Sequence, residues 1–236
     1  MIFRSAFTAL ALTATVGLSH AGVIPAYDNF ENLPGATFGG TGIPTNPTAI
    51  TTENGFTLGL TAFGRYQNPQ LTNNGAGTFY ATPGINDGLD AVPHALGATW
   101  GFGSYINGGT APLGNYQIDL FYDLDPAAGT ELVNMGRIDI DFALTDNNAG
   151  FLTLVQDAQN LHSSFFSVGN AYTTPPALDF NGNAPGEYAL MLRVRDQAGN
   201  DLATSSILVQ VVPEPGTLAL LGVALFGLAA TRRRRS

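Results

Sequence analysis

Aspartate is the reactive side chain this sequence holds in quantity, and two groups of it are spaced for joint action. Asp119, Asp123 and Asp125 fall at the end of one alternating run and in the turn behind it, and Asp139 and Asp141 lie one run later. Calcium takes several oxygen ligands at about 2.3–2.6 Å, which close carboxylates and loop carbonyls can supply, so Ca²⁺ is the cofactor these five residues suggest. Asp87 and Asp90, in PGINDGLD, form a second loop candidate. The spacing matches no EF-hand. Glycoside hydrolysis would need two carboxylates roughly 5–9 Å apart in a cleft, and an acidic β-rich chain contains such pairs by chance.

Other chemistry is thinly supplied. His94 and His162 are isolated in loop-like sequence, and solvated loop histidines are the plainer reading of both. No HExxH, GxSxG or P-loop pattern occurs, and GFGS at 101–104 lacks a glycine that the nucleophile elbow needs. There is no cysteine, which removes both a thiol nucleophile and a disulfide framework. Trp100, the sole tryptophan, stands with Phe102 and Tyr105 in WGFGSY. The three could form a sugar-stacking platform, but Trp100 and Phe102 share a strand face, and a core role is at least as natural.

Strands must position these residues. Short apolar or alternating runs recur at 56–60, 77–80, 98–102, 116–124, 132–144, 151–156, 164–168, 188–195 and 202–212. Gly, Pro and Asn separate them, and none sustains a helical period. That pattern predicts an all-β body, a β-sandwich or jelly roll, with an edge strand and long loops contributed by residues 22–47. In YQIDLFYDL, Tyr116, Ile118, Leu120, Tyr122 and Leu124 point inward. GRIDIDF resumes the pattern with Ile138, Ile140 and Phe142 inward and Arg137, Asp139 and Asp141 outward. YALMLRVR buries Tyr188, Leu190, Leu192 and Val194 and exposes Arg193 and Arg195, which a neighbouring strand would pair with Asp139 and Asp141 as modest surface ion pairs. DQAGN then closes a hairpin, with Gly199 free to take a positive φ.

Both ends read as addresses. One positive charge, an apolar stretch over residues 6–18 and small residues at Ser19 and Ala21 make a secretory signal peptide, with signal peptidase cutting after Ala21. Between that cut and Pro213, 191 residues carry 17 acids and four arginines (Arg65, Arg137, Arg193, Arg195), a formal charge of −13. Such a surface repels nucleic acid and anionic lipid. At the C-terminus, residues 216–231 are apolar and would rise about 24 Å as a helix, against roughly 30 Å of bilayer hydrocarbon. Arg232, Arg233, Arg234 and Arg235 follow as a stop signal that holds the end inside the cytoplasm. Pro213 and Pro215 keep Glu214 extended beside that short transmembrane segment.

Val212-Pro213-Glu214-Pro215-Gly216, the apolar run and the arginine cluster together resemble the PEP-CTERM sorting signal of Gram-negative bacteria. The resemblance implies recognition of Pro213, Glu214 and Pro215 by an exosortase, a membrane-embedded cysteine protease of transpeptidase type. It also implies that residues 216–231 are a temporary inner-membrane anchor and that Arg232 to Arg235 are its retention charge. The destination it implies is the outer surface or an exopolysaccharide-rich biofilm matrix.

The expected organisation is a signal peptide over residues 1–21, an all-β extracytoplasmic body over 22–212 and a sorting signal over 213–236. The expected role is a non-catalytic structural or adhesive component of the surface or exopolysaccharide matrix. Three alternatives stand beside it: a carbohydrate-binding module, a secreted hydrolase, and a permanently anchored, unprocessed membrane protein.

Overall fold

The computed structural model describes residues 22–37, 43, 47–65, 70–86 and 97–213. The signal peptide, Asp87, Asp90, His94 and everything from Glu214 onward lie outside the described residues. In chain order the strands are β1 (Asn29–Glu31), β2 (Thr48–Glu53), β3 (Phe56–Gly64), β4 (Thr72–Asn73), β5 (Thr78–Ala81), β6 (Ile85–Asn86) and β7 (Gly97–Ala98). There follow β8 (Trp100–Asn107), β9 (Gln117–Tyr122), β10 (Gly136–Asp139), β11 (Leu154–Gln159), β12 (Thr173–Thr174), β13 (Gly186–Arg195) and β14 (Asp201–Val211). Two short helices interrupt them, α1 (Ile140–Asp146) and α2 (Phe165–Val168).

The all-β expectation holds. One sheet runs β1-β2-β3-β8-β11, a second runs β12-β10-β9-β13-β14-β5-β4, and β6 and β7 form a separate small ladder. The inward faces follow from period-two alternation. Leu58, Leu60, Trp100, Phe102 and Ile106 of the first sheet share a core with Ile118, Leu120, Tyr122, Leu190, Leu192, Ile207 and Val209 of the second. Two hydroxyls stitch the sheets where β2 meets β14. Thr51 donates to the Thr204 carbonyl at 2.9 Å, and Ser205, fully buried, donates to the Ala49 carbonyl at 3.2 Å. Burying those polar groups costs little because each finds a partner.

Both sheets are also partly covered outside. The N-terminal segment provides the expected edge strand β1 and lays Leu33, Ala36 and Ile43 over Ile50 and Tyr105. Phe121, Met135 and Ala189 form a smaller patch on the back of the second sheet. The β13–β14 hairpin turns as expected, with Gly199 at φ +87°.

Three local expectations are overturned. GRIDIDF is not one strand: β10 ends at Asp139, whose carboxylate caps α1 by accepting from the Phe142 N–H at 3.0 Å. Asp141 turns inward to accept from the Ile118 N–H at 2.6 Å, while Phe142 is exposed. Side-chain-to-backbone bonding by aspartate thus outcompeted the alternating pattern. Residues 164–168 hold the helix α2 rather than a strand. Phe166 is fully buried there against Tyr122, ring centroids 4.7 Å apart, and Gly169 at φ +80° ends the turn. The strand expected at 151–156 begins three residues later, as β11.

Candidate functional site

The C-terminal feature grows out of the sheet itself. β14 lies between β13, antiparallel, and β5, parallel, so it is a central strand with ladder bonds on both sides. Val211 is buried, and the Val212 N–H still donates to the Ala81 carbonyl at 2.9 Å. Pro213 is exposed and has no N–H to continue the ladder, so pairing ends where the Pro-Glu-Pro sequence starts. Glu214, Pro215, the apolar run, Arg232, Arg233, Arg234 and Arg235 lie outside the described residues, as does Ala21. Among the described residues no helix is long and apolar enough to cross a membrane.

On the back of the second sheet, three of the four body arginines converge on Asp119. Arg137 reaches Asp119 Oδ1 at 3.2 Å, Arg195 reaches Oδ2 at 2.8 Å and Arg193 reaches it at 3.4 Å. Arg137 also holds Asp139 at 3.0 Å, and the Arg193 guanidinium sits 4.8 Å from the Phe121 ring centroid. The expected partners of Arg193 and Arg195, Asp139 and Asp141, are corrected by register. β13 pairs with β9, setting Arg193 opposite Asp119, whereas β10 lies one strand further out. The pairing is also not a surface one, because Asp119 is only 2% exposed.

The five candidate calcium ligands are not assembled. Asp119 is committed to arginines, Asp139 to the cap of α1 and Asp141 to the Ile118 amide. Asp123 is buried beyond the end of β9 and accepts from the Asp125 N–H at 2.8 Å, and Asp125 in turn accepts from the Ala127 N–H at 2.9 Å. Burial pushes Asp123 up to about 6, against the opposing pull of its amide donors. Among the described residues no three His, Cys, Asp or Glu side chains gather where they could hold a metal ion. His162 is half-buried in the loop after β11.

The aromatic platform is overturned as well. Trp100, Phe102 and Tyr105 are 1%, 0% and 2% exposed. Trp100 packs on Tyr188 at 5.6 Å and Phe180 at 6.1 Å, and Phe102 on Phe166 at 6.0 Å. Tyr105 faces the opposite side of the sheet, under Leu33 and Ile43. Alternation put all three inside because both faces of β8 are covered, which the sequence of β8 alone does not announce.

One concavity was missed in the sequence. A cleft of about 430 Å³ opens between β8 and β11 of the first sheet and β9, β10 and α1 of the second. Its walls include Ile106, Leu120, Ile138, Leu144 and Val155, with Ser104, Asp157 and Gln159 as polar points. The signal was present in LVQDAQ, where Val155, Asp157 and Gln159 share one face; they pair with Ile106, Ser104 and Phe102 of β8. Ending the strand at residue 156 concealed it.

Comparison with known proteins bears on the C-terminus. Residues 211–235 match the family model of the PEP-CTERM protein-sorting motif. No curated protein and no solved structure matches the chain. The match covers Pro213 to Pro215, the apolar run and the arginines that the sequence singled out, and such a motif implies a secreted chain, an exosortase as processing partner and a cell-surface or extracellular destination. The chain is a PEP-CTERM domain-containing protein.

Proposed function

We propose that this protein is a non-catalytic structural or adhesive component of the cell surface or exopolysaccharide matrix. It passes through the inner membrane on a transient anchor, residues 216–231, before an exosortase cuts near Pro213–Gly216. The observation that carries this reading is the absence of slack between body and signal: the last ladder bond is at Val212, the Pro-Glu-Pro sequence begins at Pro213, and the matched motif already starts at residue 211, within β14. A folded two-sheet body is thereby presented as cargo hard against its own release site. The non-catalytic part is supported by the employment of the strand-end carboxylates, which serve arginines and backbone amides. Glycan stacking on Trp100, Phe102 and Tyr105 has no surface to act from.

Intact-mass analysis of protein recovered separately from the inner membrane and the extracellular matrix of the native host tests this. The expected mature species starts at Gly22 and ends between Pro213 and Gly216, alone or carrying the mass of an acceptor. A membrane species that keeps Ser236, with nothing in the matrix, would overturn it and make the tail an ordinary anchor.

A further inference from the structure

We propose that the cleft between the two sheets binds a small cationic amphiphile, an apolar body carrying a primary amine, with the amine at Asp157. The cleft lies where α1 follows directly on β10 in the second sheet and where β11 is the edge strand of the first. Ile106 and Leu120, both nearly fully buried, line a cleft of about 430 Å³ that is open to solvent on one side. That volume lies within the range of roughly 300–1,000 Å³ typical of small-molecule sites, and aliphatic walls select an apolar body.

Charge selects the head group. Asp157 is half-buried on the cleft wall, opposite Ser104 across the β8–β11 ladder. The Gln159 amide donates to its carboxylate. Burial raises its proton affinity, against the opposing pull of the Gln159 amide. Among the described residues, no Lys, Arg or His lines the cleft. A fatty-acid carboxylate would be repelled there, an alcohol would be accepted, and an ammonium would supply the missing charge. The field of the body, 17 acids against four arginines, draws the same sign of ligand from a distance.

Three probes of one shape decide the matter: 4-phenylbutylamine, 4-phenylbutan-1-ol and 4-phenylbutanoate, titrated calorimetrically into the full chain in zwitterionic nanodiscs, with empty nanodiscs as blank. The amine is expected to bind saturably at one site, at least tenfold tighter than the alcohol, and the carboxylate not at all. Asp157→Asn should bring the amine within about threefold of the alcohol, and Ala143→Trp, which fills the mouth beside α1, should abolish both. No uptake above the blank, equal binding of the three probes, or amine binding indifferent to both substitutions would each overturn the proposal. If either variant loses its near-ultraviolet circular dichroism, the native-chain comparison of the three probes decides alone.

Discussion

Asp119 shows how a single carboxylate can be written into a sheet. It is 2% exposed and meets three guanidinium groups, so its charge is compensated where burial would otherwise expel it. Removing it strands three cations around a neutral hole, whereas removing Arg137, whose side chain is 40% exposed, leaves two partners in place. Asp119→Asn is therefore expected to cost about 3–5 kcal/mol, and Arg137→Ala no more than about 1 kcal/mol, both read from urea denaturation midpoints. Comparable losses for the two would mean that the cluster is no buried network. That Asp119 would be outward on its strand was legible from alternation in YQIDLFYDL. That outward there meant buried was not, because the cover comes from side chains on β10 and β13, far away in sequence.

At the scale of elements, the instructive case is the strand that became a helix. GRIDIDF alternates as well as any run in the chain, yet Asp139 stops the ladder by capping and Asp141 reaches across to β9. A period-two pattern fixes which residues are apolar, not whether an aspartate among them will capture a backbone amide. Asp139→Ala is expected to destabilise the body by about 1–2 kcal/mol, through the cap and the Arg137 contact together. Asp139→Asn keeps a capping oxygen and should recover at least half of that loss. Chemical denaturation of the pair checks it: equal losses would show that the cap contributes nothing and the ion pair all of it.

For the molecule as a whole, acidity shapes stability. Asp123 rises from an ordinary 3.8 to about 6, and burial moves Asp141 and Asp157 in the same direction. A carboxylate whose folded value is raised binds its proton more tightly when folded. Its stabilising contribution is complete below about pH 4 and is lost as pH climbs through about 6. For Asp123 alone this difference is at most about 3 kcal/mol, and less after screening by the polar loops around it. The denaturation midpoint should accordingly be higher at pH 5 than at pH 7.5, and Asp123→Asn should flatten the difference. A midpoint that stays level or rises towards pH 7.5 would show that Asp123 does not bind its proton more tightly in the folded state, because the depressed carboxylate Asp196 changes its contribution only below about pH 4.

The sequence by itself determined the all-β class, the inward faces of β9 and β13, the hairpin at Gly199 and the sorting signal. Each of these is local: alternation, a positive-φ turn and a run of contiguous residues can all be read within a few positions. Only the tertiary structure decided that β13 lies against β9, that Trp100, Phe102 and Tyr105 are all inside, and that the five aspartates are committed to arginines and backbone amides. Those outcomes depend on strand order and on what covers a sheet's second face, which are set by contacts between residues far apart in sequence, such as Ala49 and Ser205, 156 positions apart. The cleft belongs to the same class: it lies between β10 and α1 on one side and the edge strand β11 on the other, and neither segment encodes the space between them.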